Sequence, residues 1–437
     1  MTARAAAGIG LGLMAASAKS SPGANFGWLM AERGWRVLLG LAVNVAVARH
    51  VGPGQFGVLS YALGLIAIFW AVGGLGFDEV LTRELVRDPA RARALLAVGL
   101  RLKAAGAAGA FVALLVVAWV WRPGAEGTWL IVVLAGGGLF FLPLDAVDAW
   151  FLARERMRPP VIARQAALSA SALLRVGLVF AGAPLPAFAL AFMAEALLIA
   201  LALGWVLVRD GGRPDWRGTA GISGGRLLRE GWPLLVSSVL VVVTLQADRL
   251  LLVQLAGGAP AGVYAAAARF TEVLYALPMA VGSVLLPRLT ALHREDRTGY
   301  WILARRAGLG LTLAGVLLAA GLSLGGHWLL PKLLGEQYRA SGAVLGVHSW
   351  SLVFIALVSL RSRLLIIEGH SRWVMAMSAG TTALNVLGNL WLIPRWGAVG
   401  AAWASNGAWA CSVLVLPWLA AGPRAFLRTW CGLAKPR

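Results

Sequence analysis

The sequence is poor in charge, in acidic side chains and in cysteine. Only 13% of its 437 residues are charged, and 19 Asp and Glu stand against 39 Lys and Arg. The 2 cysteines, Cys411 and Cys431, have neither the spacing of a metal site nor the pattern of a disulfide framework. With 59% hydrophobic residues and a mean hydropathy of +0.77, the chain has more apolar surface than a soluble domain can bury.

Signatures of catalysis are also missing. The sequence has no nucleophile–base motif, no Walker loop and no metal-ligand spacing, and its 5 histidines are scattered. The enzyme alternative is a polytopic sugar polymerase or glycosyltransferase, but such enzymes usually carry a large extramembrane loop, and every connection here is short. We therefore predict a protein that is not an enzyme and that has no metal site and no cofactor.

Long apolar runs are what the sequence has in abundance. A run of about 20 apolar residues spans the hydrocarbon core of a bilayer as a helix. Such runs recur along the chain, which predicts an all-α polytopic membrane protein with twelve transmembrane helices. We label these helices α1 to α12 and predict them at residues 27–48, 56–78, 104–121, 128–150, 161–182, 185–208, 231–255, 262–286, 306–328, 343–366, 374–393 and 397–419.

The basic residues lie between these runs. Arginines and lysines are concentrated in the C-terminal tail and in the loops after α2, α4, α6 and α8. Because basic loops stay in the cytoplasm, both termini are predicted to be cytoplasmic. The net charge of +20 is spread over these loops and not gathered on one face, so we expect no nucleic-acid binding. Residues 5–18 resemble a cleavable signal, but its removal would invert this topology, so we expect a cytoplasmic leader.

The chain also has an internal repeat. Residues 47–83 align without a gap with residues 252–288, so that Gly52 matches Gly257 and Gly57 matches Gly262. The alignment superposes a whole helix–turn–helix in the same membrane orientation, as in transporters built from parallel repeats; a symmetric channel-like bundle is the alternative. The predicted division is a leader at 1–26, a six-helix lobe at 27–208, a basic linker at 209–230, a second six-helix lobe at 231–419 and a basic tail at 420–437.

Three stretches resemble one known family. They are residues 48–62 with the later pair Arg83-Glu84, residues 247–278 and residues 384–405, with the sequences ARHVGPGQFGVLSYA, ADRLLLVQLAGGAPAGVYAAAARFTEVLYALP and LNVLGNLWLIPRWGAVGAAWAS. In this order they resemble the polysaccharide-transport, or oligosaccharide flippase, family. Its superfamily also contains the multidrug and toxin extrusion transporters.

The resemblance implies a function. A member of this family lies in the bacterial inner membrane and moves an undecaprenyl-diphosphate-linked oligosaccharide to the outer leaflet by alternating access. The sugar passes through a central, often cationic cavity, while the prenyl tail stays in lipid. Expected partners are the lipid-linked oligosaccharide, membrane lipid, a polysaccharide polymerase and chain-length proteins. The alternative is a drug or cation antiporter of the same superfamily, which should carry acidic cavity residues and few arginines.

Four charged residues in α7 and α8 are the first candidates for a site, because ionisable groups are expensive inside a membrane. They are Asp248, Arg249, Arg269 and Glu272, and a turn over residues 256–261 would place them at one depth, about 10 Å from the outer boundary. Either they form a closed set of salt bridges, or Arg249 or Arg269 presents its guanidinium to the diphosphate. The spacing leaves both interpretations open.

Further candidates lie in other helices. Arg33 in α1 lacks a local partner, whereas Arg36 has Glu32 one turn before it; we predict phosphate-binding roles for Arg33, Arg36 and, in α10, Arg361. For coupling to a proton gradient, a sodium gradient or the membrane potential, the candidates are Glu195, Asp145, Asp148, Asp248 and Glu272. Two alternatives stay open: Arg175 is a possible partner for Glu195, and Asp145 and Asp148 can instead compensate nearby arginines.

Overall fold

The computed structural model is helical throughout the residues that it describes, which are 22–121, 127–419 and 430. Side chains are described from Leu39 onward within these ranges, except that of Ser371. The predicted leader up to residue 21, the side chains of Arg33 and Arg36, and the tail apart from Trp430 lie outside the described part.

The helices follow the predicted order. Helices α1 and α2 form one run, Pro22–Gly73, that turns at Gly52, and α11 and α12 form the run Ser371–Leu414, which turns at Gly397. The remaining spans are α3 Ala92–Val120, α4 Thr128–Leu152, α5 Arg158–Phe180, α6 Leu185–Arg209, α7 Gly224–Ala256, α8 Gly258–Glu295, α9 Arg297–Leu334 and α10 Ser341–Ile367. Within the described ranges, nine helical runs are long and apolar enough to cross a membrane, and one of them, Leu39–Arg87, contains both α1 and α2. These ten spans and the two helices of the run Ser371–Leu414 are consistent with twelve.

Several helices are longer than predicted. Helix α3 begins twelve residues earlier than predicted, α9 begins at Arg297, and α7 begins at Gly224, inside the predicted linker, where the Ser223 side chain accepts a hydrogen bond from the Arg226 N–H. Hydrophobicity marks only the part of a helix that lies in lipid, whereas the i→i−4 hydrogen bonds continue into the charged residues beyond it. Helix α8 is also interrupted at Tyr275, and α4 contains the 3₁₀ segment Gly137–Asp145.

The helices form two lobes. Helices α1 to α6 pack among themselves, as do α7 to α12, and the lobes meet where the α1–α2 hairpin contacts α7 and α8. This arrangement places the first hairpin of each repeat at the centre of the molecule.

The two central hairpins turn in the same way. Gly52 has φ 75° and ψ 168°, and its repeat partner Gly257 has φ 90° and ψ 178°, a left-handed region that favours glycine. A Cβ on Gly57 would lie 1.9 Å from the carbonyl oxygen of Gly258, and one on Gly262 would lie 1.8 Å from that of Pro53. Because Pro53 and Gly258 are also partners in the repeat, the hairpins contact each other reciprocally.

The lobes contact each other near the paired turns, on the side that the sequence predicts to face outward. There, the Tyr338 hydroxyl donates to the Ala48 carbonyl at 2.9 Å. The second half of α8, Ala276–Glu295, packs on α9 and α10 of its own lobe and leaves Leu277 and Met279 exposed. We call it the inner half of α8, because it lies on the side predicted to face the cytoplasm. At this end the lobes touch at one edge, where Arg226 pairs with Glu84 at 3.2 Å.

The glycine contact at the outer turns can be tested by adding one methyl group. We expect Gly262→Ala to lower the thermal unfolding temperature in detergent, because overpacking a tight contact costs about 1–3 kcal/mol. Gly54→Ala is the matched control, since a Cβ there meets nothing within 4 Å. An equal loss of stability in both variants would contradict the close approach.

Candidate functional site

Three of the predicted charges meet between α7 and α8. Arg249 donates to Glu272, and its other terminal nitrogen donates to the Gln246 side-chain oxygen at 2.6 Å. Arg269 lies 3.6 Å from the second oxygen of Glu272. The Arg249 side chain is 4% exposed, whereas that of Arg269 is 38% exposed. This arginine triad (Arg249, Glu272 and Arg269) therefore has one carboxylate for two guanidiniums, and the more loosely paired arginine is also the more exposed one.

The first lobe leaves room for the triad. In the repeat, Asn44 and Gly64 stand at the places of Arg249 and Arg269. A Cβ at Gly64 would lie 3.2 Å from the Gln246 side-chain oxygen that Arg249 uses. At these two repeat positions the first lobe therefore has small or neutral side chains, and only the second lobe has arginines.

Asp248 belongs to a separate group. It is 3% exposed and accepts hydrogen bonds from the amide nitrogens of Asn385 and Asn389, at 3.0 and 2.6 Å, and from the hydroxyls of Tyr264 and Ser405. These partners come from α8, α11 and α12, so the carboxylate lies inside the second lobe. We call this set the Asp248 cage.

Three of the four predicted charges form the expected cluster, and Asp248 does not belong to it. Arg249, Arg269 and Glu272 are in contact, whereas Asp248 lies in its own cage. Asp248 and Arg249 are neighbours on α7, so their side chains leave the helix in directions about 100° apart. The turn occupies Gly257 alone, and α8 begins four residues earlier than predicted.

The first lobe has a buried charge pair of its own. Arg175 of α5 donates to Glu195 of α6, and the Ser171 hydroxyl donates to the same carboxylate oxygen at 2.9 Å. The alternative partner foreseen for Glu195 is therefore the one present, and the pair is neutral.

Asp145 and Asp148 lie near the inner end of the first lobe. Arg164 of α5 contacts Asp148 at 2.6 Å and Asp145 at 3.6 Å, and the Trp70 indole N–H donates to Asp145 at 3.2 Å. Both carboxylates line an inner cavity of about 530 Å³. Their compensation by an arginine was predicted, and Arg164 provides it.

Arg361 lies apart from the triad. It is 2% exposed, and its guanidinium donates to the backbone carbonyl and, at 3.4 Å, to the hydroxyl of Ser412. These contacts hold α10 against α12 within the second lobe. Arg33 and Arg36, the other two predicted phosphate ligands, have side chains outside the described part of the chain.

The partners of Asp248 were missed by the sequence analysis. Asn385 and Asn389 are four residues apart in a largely apolar helix, so they share a face. Because buried amides in a membrane span need hydrogen-bond partners, this spacing could have indicated a polar contact inside the lobe. Among the described residues, no group of three or more His, Cys, Asp or Glu side chains is arranged to hold a metal ion.

Comparisons with known proteins agree with this architecture. A lipid II flippase, MurJ, in an inward closed conformation superposes with a TM-score of 0.71 at 13% identity, covering 92% of this chain and 89% of that one. An inward-facing multidrug resistance MATE transporter of the MOP superfamily gives 0.74 at 14% identity, with 91% and 96% covered. An outward-facing MATE structure gives 0.64 at 14% identity, with 92% and 94% covered. No curated protein matches the sequence.

The family is identified from the sequence itself. Residues 23–293 match the model of the family described as polysaccharide biosynthesis protein, which is more than half of the chain. The matched region includes both central hairpins, the arginine triad and Asp248. The chain therefore belongs to the polysaccharide biosynthesis protein family; it is a polytopic membrane protein with the fold of the MurJ and MATE structures.

Proposed function

We propose that the protein is a flippase that moves an undecaprenyl-diphosphate-linked oligosaccharide across the bacterial inner membrane for surface polysaccharide assembly. The observation that carries this proposal is the excess positive charge of the arginine triad, which lies beside Gly64 of the first lobe. A drug or cation antiporter would need the opposite sign of charge at this place.

The two arginines of the triad have different roles in this proposal. Arg249 is buried and has two partners, so it fixes α7 to α8. Arg269 is only partly buried and is loosely paired with Glu272. A guanidinium can donate two parallel hydrogen bonds to a phosphate. We therefore assign the diphosphate contact to Arg269 and the positioning of Glu272 to Arg249.

The contacts between the lobes are consistent with loading of the substrate from the cytoplasm. The turns on the predicted outer side are in contact, whereas the inner half of α8 exposes apolar side chains such as Leu277 and Met279. A lipid-linked sugar would enter with its prenyl tail along this surface and its diphosphate toward Arg269. With both termini in the cytoplasm, this side faces the leaflet where such lipids are assembled.

The Asp248 cage is our proposed coupling site. The side-chain oxygens of Asn385 and Asn389 are buried without a hydrogen-bond partner among the described residues. A half-turn of either amide exchanges its oxygen for its nitrogen. The cage can then present oxygen ligands to a small hard cation, or Asp248 can take up a proton; either event removes an unfavourable charge from the second lobe.

The roles of the two arginines can be separated by substitution. We expect Arg269→Gln to be expressed and to unfold at the wild-type temperature, but to lower transport at least about tenfold, since a hydrogen bond to a charged group contributes about 1.5–3 kcal/mol. Arg249→Gln should instead reduce folded protein in the membrane, because breaking a buried ion pair costs about 3–5 kcal/mol. Transport is measured as surface polysaccharide, and as accumulated lipid-linked oligosaccharide, in a strain without its own flippase.

Arg339→Gln, at an exposed site beyond α9, is the matched control and should behave as wild type. Unchanged polysaccharide in Arg269→Gln would contradict the assignment of the diphosphate contact. Transport of organic cations by the wild-type protein, with no effect on polysaccharide, would favour the antiporter.

Coupling can be tested in proteoliposomes with imposed sodium or proton gradients. We expect Asp248→Asn to lose the dependence of transport on the gradient, because the neutral amide cannot exchange charge with a cation. Glu195→Gln is the comparison, since Glu195 is already paired with Arg175, and it should keep the dependence. If Asp248→Asn responds to the gradient as the wild-type protein does, the coupling site lies elsewhere.

A further inference from the structure

A largely apolar groove of about 610 Å³ lies on the second lobe near its inner end. Its walls come from α9, α10 and α12, with Trp418 and Trp430 beside them. Leu309 and Leu414, on opposite walls, are 62% and 61% exposed, so the groove opens to the hydrocarbon around the lobe. This surface is separate from the arginine triad and from the inner half of α8.

The inner rim of the groove is cationic. Arg305 lies eight residues after the start of α9 at Arg297, and on the same helical face as Gly308 and Leu309. Its Nε donates to the Trp430 carbonyl at 3.0 Å, which holds the guanidinium at the rim. The Trp430 indole lies against Gly308, where a Cβ would be 3.2 Å from the ring. The tail residue Trp430 therefore forms part of the groove wall.

We propose that this groove binds an anionic diacyl phospholipid of the cytoplasmic leaflet. The lipid phosphate would contact Arg305, and one acyl chain would lie along Leu309, Leu357 and Leu414. A basic rim selects a negative headgroup, an apolar lining selects an acyl chain, and indole rings favour the membrane interface. The volume is within the range of about 300–1,000 Å³ that is common for ligand sites. The proposal uses the predicted membrane orientation but not the identity of the transported lipid.

The test uses the full chain and native mass spectrometry after exchange into matched phosphatidylglycerol or phosphatidylcholine. We expect the wild-type protein to retain one more phosphatidylglycerol than phosphatidylcholine. Arg305→Gln should weaken this retention about fivefold, in line with one arginine near an anionic lipid surface. Leu309→Trp should abolish it by filling the groove. The matched controls are Arg306→Gln, the next arginine on α9 and outside the groove lining, and Leu317→Trp, which lies two turns beyond Leu309 and is 74% exposed.

Four results would overturn the proposal. Equal retention of the two phospholipids would show that the headgroup is not recognised. Equal losses of phosphatidylglycerol retention in Arg305→Gln and Arg306→Gln would show that any nearby positive charge attracts the lipid. Displacement of phosphatidylglycerol by undecaprenyl diphosphate would identify the transported lipid as the occupant. Absence of retained lipid in the wild-type protein would indicate that the chain itself fills the groove. Because transport is not the readout, failure of the flippase proposal would not affect these outcomes.

Discussion

A charge inside a membrane protein has to be neutralised or hydrated, and this constraint determines the centre of the molecule. The described structure meets it in two ways around neighbouring residues of α7. Asp248 is stabilised by hydrogen bonds from four uncharged donors inside the second lobe, whereas Arg249 pairs with Glu272. Since Glu272 is already engaged by Arg249, the triad keeps an excess of positive charge at Arg269. The proposed binding and coupling sites are therefore adjacent along one helix.

The glycine hairpins explain how two similar repeats can carry different chemistry. The paired turns at Gly52 and Gly257 keep the backbone symmetric, and the reciprocal contacts of Gly57 and Gly262 fix the lobes at the outer side. At the repeat positions deeper in the membrane, Asn44 and Gly64 of the first lobe correspond to the arginines of the second. A symmetric backbone thus carries an asymmetric charge, which agrees better with the proposed carrier of an anionic lipid than with a symmetric pore.

Apolar runs, basic loops and the glycine repeat were sufficient to predict the helix order, the two lobes and the central place of the α7–α8 hairpin. The contacts of the charged side chains could not be predicted in the same way. Spacing could not show that Asp248 turns toward Asn385 and Asn389 while Arg249 turns toward Glu272, because these partners are distant in sequence. Nor could it show that Arg361 is held by a backbone carbonyl. The predicted helix ends were wrong because hydrophobicity marks the residues in contact with lipid, whereas the hydrogen bonds of a helix continue beyond them.

Recognition of a diphosphate by the arginine triad can be measured directly. The quantity is the affinity of the purified protein for three synthetic prenyl-linked sugars that differ only in the linkage: diphosphate, monophosphate or neutral ether. We expect the diphosphate to bind most tightly and the ether most weakly, and we expect replacement of Arg269 to remove most of the difference. Equal affinities for all three lipids, or an unchanged order without Arg269, would contradict it.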